Sequence, residues 1–191
     1  MKNLLILGAV RSGKTTVAKQ LIRLGGFNYL SMDFLAGILE ESLPETGIKD
    51  NGSIDEHKFN SVIFTYMNYL LSSSYITIVE GSRISPKKAF DNINQDMHKI
   101  VVFGYPNIKP EQLLSNIRNH ENSDEWKTET HENWTQQLDD TEMLSLLREQ
   151  IENSKKYQKD CEKLGIDFID TSIDRDKKLD DFVKNILTFL S

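Results

Sequence analysis

Leu4-Leu5-Ile6-Leu7-Gly8-Ala9-Val10-Arg11-Ser12-Gly13-Lys14-Thr15-Thr16 decides the fold. Four aliphatic residues run into a glycine-bounded loop, and the following segment places Val17, Ala18, Leu21, Ile22 and Leu24 at helical spacing. The order is buried strand, loop, amphipathic helix. Within it, Gly8 to Thr15 has the spacing G-x-x-x-x-G-K-T, whose chemistry explains its length. Backbone N–H groups of Gly8, Arg11, Ser12, Gly13 and Thr16 are placed to converge on phosphate oxygens, Lys14 reaches the β and γ phosphates, and the Thr15 hydroxyl is a magnesium ligand. The N-terminal end of the helix, starting near Gly13, adds its positive pole. The expected ligand is ATP with magnesium, but switches, motors, transporters and kinases all use such a loop, so the loop alone does not fix a reaction.

Working outward, short apolar runs recur at Phe27 to Leu30, Tyr75 to Val79, Ile100 to Phe103 and Ile166 to Ile169. Each precedes polar or helical sequence, as buried parallel strands do. Helical spacing is clearest at Phe59, Val62, Ile63, Tyr66, Met67, Leu70 and Leu71, and again from Leu179 to Leu190. Five strands alternating with helices predict a three-layer α/β domain with a parallel sheet and right-handed crossovers. Two stretches break the alternation: Pro44 to Ser53, rich in turn formers, and the polar His120 to Asn133, which carries Trp126 and is followed by Trp134. The first reads as a solvated loop; the second is either a solvated loop or a cover over the site.

The 191 residues suit one domain. A formal net charge of -6, from 23 Lys and Arg against 29 Asp and Glu, opposes general attraction to nucleic acid or anionic lipid. Cys161 is the only cysteine, which excludes an intramolecular disulfide and a thiolate-rich metal site. The Leu4 to Leu7 run is too short to span a bilayer, so a cytoplasmic protein with no membrane partner is expected.

The candidate chemistry lies at predicted C-terminal strand ends, where a parallel sheet gathers its ligand-binding groups. Asp33 follows the second strand and could accept a proton from a substrate hydroxyl; alternatively it caps a helix beginning at Phe34. Glu80 ends the third strand and could orient magnesium or its water. Arg83, after Gly81, offers a bidentate grip on an anionic acceptor group or forms a surface ion pair. Arg118, at the start of the polar insertion, could neutralise charge on a transferring phosphoryl group. Arg148 reads as surface. His57, His98, His120 and His131 have no metal-site spacing, and most are expected to be exposed.

With these residues in place the chain resembles the P-loop small-molecule kinases, the group containing adenylate, shikimate and gluconate kinases and certain antibiotic phosphotransferases. The resemblance runs through most of the chain: the phosphate loop, Asp33 after the second strand, Glu80-Gly81 after the third, Arg118 opening a lid-like insertion at about 118–135, and Asp170-Thr171-Ser172 where these kinases line the adenine pocket. It implies strand order 2-3-1-4-5 with helices on both faces, catalytic roles for Lys14, Asp33 and Arg118, and phosphoryl transfer from ATP to a small hydroxyl- or phosphate-bearing acceptor by a monomer or homodimer. The chain departs from the nucleotide kinases in carrying one arginine in the insertion where they show several. The competing expectation is a regulatory ATPase with no small acceptor.

Overall fold

In the computed structural model, which describes residues 3–48, 56–70, 75–121 and 137–190, strand β1 (Asn3–Gly8) is buried along its whole length. Its faces are covered by helices packed on either side of the sheet, and its edges by parallel pairing with β3 (Thr77–Gly81) and with β4 (His98–Gly104). The outer strands β2 (Asn28–Ser31) and β5 (Asp167–Asp170) complete a parallel sheet in the order β2-β3-β1-β4-β5. This is the expected order.

Side chains alternate across the sheet and build two cores. Leu4, Ile6, Ile78, Val101 and Phe103 face α1 (Lys14–Gly25) and α7 (Arg175–Leu190), with Phe103 edge-on to Phe182 at a centroid distance of 5.1 Å. Leu5, Leu7, Val79, Ile100 and Val102 face the opposite layer of α2 (Met32–Ser42), α3 (Glu56–Tyr69), α4 (Pro86–Asn92) and α6 (Asp140–Leu164). A third cluster joins Ala9 and Tyr105 to α5 (Pro110–Glu121) and α6 through Leu113, Leu114, Ile117, Met143, Leu147 and Ile151. Among the described residues no helix is long and apolar enough to cross a membrane.

Several boundaries differ from the sequence expectation. Helix α2 begins at Met32, capped by the Ser31 hydroxyl accepting from the Phe34 N–H at 3.4 Å, so Asp33 lies in the first turn and is not the cap. Arg118 and His120 belong to the last turn of α5 and do not open a loop. Helix α4, capped by Ser85 with Pro86 at its first position, is an element that apolar periodicity misses because it spans only seven residues. Leu24 is exposed at the end of α1, and His98 is buried at the start of β4. Arg148 is at the surface, 3.6 Å from Glu111. Residues 49–55 and 122–136, with Trp126, His131 and Trp134, lie outside the described residues, as does Leu71.

Candidate functional site

The loop after β1 is shaped by three residues with positive φ: Gly8 at 135°, Arg11 at 63° and Gly13 at 98°. Gly8 is dictated twice over. Its φ disfavours a side chain, and a Cβ there would lie 1.8 Å from the Phe103 carbonyl oxygen, because the loop leaves the sheet by pressing its backbone on β4. The Ala9 N–H donates to that same oxygen at 3.0 Å. The outer arm is braced from α6: the Gln150 Oε1 accepts from the Val10 N–H at 3.2 Å, while the buried Tyr105 hydroxyl donates to the Val10 carbonyl at 2.5 Å. Ser154 fixes Tyr105 in turn, accepting from its N–H at 3.2 Å.

Helix α1 has no side-chain cap, so the N–H groups of its first turn are directed into the loop without an internal competitor. The Ser12 hydroxyl is buried and has no hydrogen-bond partner among the described residues. Such an orphan inside a cradle of N–H groups fits an anion of phosphate size. The Lys14 ammonium donates to the Ala9 carbonyl at 2.7 Å. Burial lowers its pKa, and Glu80 and Asp33 oppose that shift, which puts both carboxylates within electrostatic reach of one lysine.

Glu80 is held by register between Ile6 on β1 and Ser31 on β2. Its side chain is buried, and burial raises its pKa against the lowering influence of Lys14 and of the Tyr29 and Ser31 hydroxyls. The Tyr29 hydroxyl donates to Oε1 at 2.8 Å, and the Thr15 hydroxyl lies 3.4 Å from Oε2. Burial keeps the Tyr29 phenol protonated far above its ordinary range. Thr15 and Thr16 are exposed at the loop's mouth. Among the described residues no group of three or more His, Cys, Asp or Glu could cage a metal. Thr15 and Glu80 supply hard oxygen atoms only, the set that suits magnesium, which takes one or two protein oxygens and completes its shell with water and phosphate.

Beside this cluster, Asp33 Oδ1 accepts from Arg83 Nε at 3.0 Å, and the guanidinium carbon of Arg83 stands 5.9 Å from the Phe59 ring centroid. The two residues expected on the acceptor side are therefore joined, next to Lys14. Arg118 is placed differently. Its Nη1 donates to Glu121 at 2.9 Å, its Nε to Asp140 at 3.2 Å and its Nη2 to the Leu138 carbonyl at 2.8 Å, so these donors tie the end of α5 to the start of α6. Its link to the phosphate loop runs through Glu121, whose other oxygen pairs with Arg11. On the far side, Asp170 accepts from the Ser172 N–H and from Asn107 Nδ2, each at 2.9 Å, and Thr171 donates to the Gly104 carbonyl.

Four contributors were not read from the sequence. Tyr29 and Glu121 carry no local signal, and Tyr105 and Gln150 act only through long-range contacts. A fifth, Arg175, comes within 3.4 Å of where a Gly13 Cβ would lie. It follows the C-terminal end of β5, so the rule that singled out Asp33 and Glu80 would have found it.

Comparison with solved structures bears on the fold. Shikimate kinase from Bacteroides thetaiotaomicron superposes with a TM-score of 0.57 at 14% identity, covering 99% of this chain and 98% of that one. The fold is that of the P-loop small-molecule kinases. A gluconokinase from Sinorhizobium meliloti 1021 matches at 0.53 with 15% identity over 100% and 97% of the two chains. Shikimate kinase from Acinetobacter baumannii, solved with shikimate, matches at 0.54 with 16% identity over 100% and 93%. No protein-family model matches the sequence, and neither does any curated protein. The likeness is thus one of fold, carried across the full length of each chain at low identity.

Proposed function

We propose that this protein is an ATP-dependent kinase that transfers the γ-phosphoryl group to a small acceptor bearing a hydroxyl or phosphate. The observation that carries the reading is the Asp33–Arg83 pair standing within electrostatic reach of Lys14 at the same sheet edge as Glu80, so that a carboxylate able to orient an acceptor lies beside the triphosphate loop. The loop from Gly8 to Thr16 holds the triphosphate, with Arg11, Ser12, Gly13 and Lys14 supplying donors. Thr15 and Glu80 hold the magnesium, which when bound neutralises phosphate charge. Asp33 orients the acceptor hydroxyl and takes its proton, and Arg83 grips an anionic group of the acceptor. Arg118, braced by Glu121 and Asp140, contributes positive charge at the γ-phosphate side. Such a site works by positioning and electrostatics, as phosphoryl transfer requires.

A regulatory ATPase would keep the loop and have no use for Asp33. Release of ADP measured against pooled sugars, nucleosides and hydroxylated acids separates the two. Stimulation by one pool, abolished in Asp33→Asn, is the result the kinase reading expects. Hydrolysis indifferent to every pool is the result that overturns it in favour of the ATPase.

A further inference from the structure

Tyr29 lies on β2 opposite Ile78 of β3, and Glu80 is two residues further along the same face of β3. That diagonal spacing is beyond short side chains but within reach of an aromatic one. The ring packs against the core beneath α1, the cluster that contains Ile76 and Ile78, where phenylalanine would fill the same volume. The hydroxyl is the feature that packing does not account for. It emerges from the apolar layer at the buried carboxylate and donates to Oε1 at 2.8 Å, while Oε2 faces the Thr15 hydroxyl at 3.4 Å.

A glutamate has a freely rotating terminal carboxylate, and register alone fixes only its backbone. The Tyr29 hydroxyl, pinning Oε1 with the Ser31 hydroxyl as a second neighbour, removes that freedom. Of the two oxygens, one is committed to the sheet and the other is presented to the mouth of the phosphate loop. We propose that Tyr29 is a positioning residue of the magnesium site, acting through Glu80 by holding its carboxylate with Oε2 turned toward Thr15. The inference rests on the reading of Thr15 and Glu80 as the magnesium-binding pair.

The test is the affinity for ATP by titration calorimetry, in excess magnesium and in EDTA, for wild type, Tyr29→Phe, Glu80→Gln and the double variant. In the wild type magnesium tightens binding. Tyr29→Phe is expected to leave the EDTA affinity within about twofold and to lose about tenfold in magnesium, the scale on which supporting groups tune a metal ligand. Added to Glu80→Gln it is expected to change nothing further, because its effect passes through that carboxylate. Equal losses with and without magnesium would mean that Tyr29 merely supports the fold, and the proposal falls. It falls equally if Glu80→Gln abolishes the magnesium effect while Tyr29→Phe preserves it. If Glu80→Gln itself keeps the full magnesium effect, the reading of Glu80 fails first and takes this inference with it.

Discussion

The two edges of the sheet carry comparable polar groups and use them differently. At the N-terminal edge, the Asn3 side chain accepts from the Thr77 N–H at 2.9 Å, Lys99 pairs with Asp167 at 2.6 Å, and His98 is buried beside the Met67 backbone. Each group there is isolated or closed on a neighbour. At the C-terminal edge, Lys14, Glu80, Tyr29, Thr15 and Asp33 interact as one cluster around a loop whose Ser12 hydroxyl lacks a partner among the described residues. Burial by itself therefore does not mark a site. Convergence does: parallel strands aim their C-terminal ends, and the helix N-termini that follow, at a common point.

The largest effect is expected at Gly8. Gly8→Ala drives a methyl group into the Phe103 carbonyl and forces a disfavoured φ, and the expected loss is at least about 3 kcal/mol in urea unfolding. An ordinary unfolding midpoint would mean that β1 and β4 approach less closely than described. Next come the two lysines. Lys14→Ala should weaken ATP binding by about a hundredfold with little change in stability, whereas Lys99→Ala should leave binding intact and cost under about 1 kcal/mol. Equal effects on binding from both would erase the distinction between the edges.

Asn3→Ala strips the Thr77 N–H of its acceptor inside the sheet, so a stability loss of about 1–3 kcal/mol is expected with ATP affinity unchanged. The smallest effect concerns His98, whose pKa burial holds below its ordinary 6.5. The unfolded chain binds the proton more readily, so this residue costs stability as pH falls below 6.5 and costs nothing above it. Urea midpoints of wild type and His98→Gln should thus differ by pH, the variant losing less stability between pH 7.5 and 5. Parallel losses in both proteins would show that His98 is not the acid-sensitive group.

Legibility in the sequence followed the same division. The phosphate loop was readable because backbone geometry demands glycine at Gly8 and Gly13 and chemistry demands Lys14 and Thr15, leaving a fixed spacing. The parallel sheet followed from the alternation of apolar runs and helices, its strand order from the family resemblance alone, and Asp33 and Glu80 from their place at strand ends. What escaped depends on contacts between distant positions. Gln150 reaches Val10 across 140 residues, and Glu121 joins Arg11 to Arg118; no local pattern encodes either. Ser31 took the capping role that Asp33 could equally have filled, since both residue types favour it. Most of the four histidines were expected to be exposed, yet His98 is buried, because β4 begins two residues before the apolar run that marked it.

The central claim is that phosphate held at the C-terminal edge is handed to a small acceptor positioned by Asp33. Its most direct test is to incubate ATP labelled at the γ-phosphate with the protein and the acceptor pool that stimulates ADP release, and to follow where the label goes. The expected result is label in an organic product, formed about a hundredfold or more slowly by Asp33→Asn with magnesium-ATP affinity unchanged. Label recovered only as inorganic phosphate, or transfer by Asp33→Asn at the wild-type rate, would contradict it.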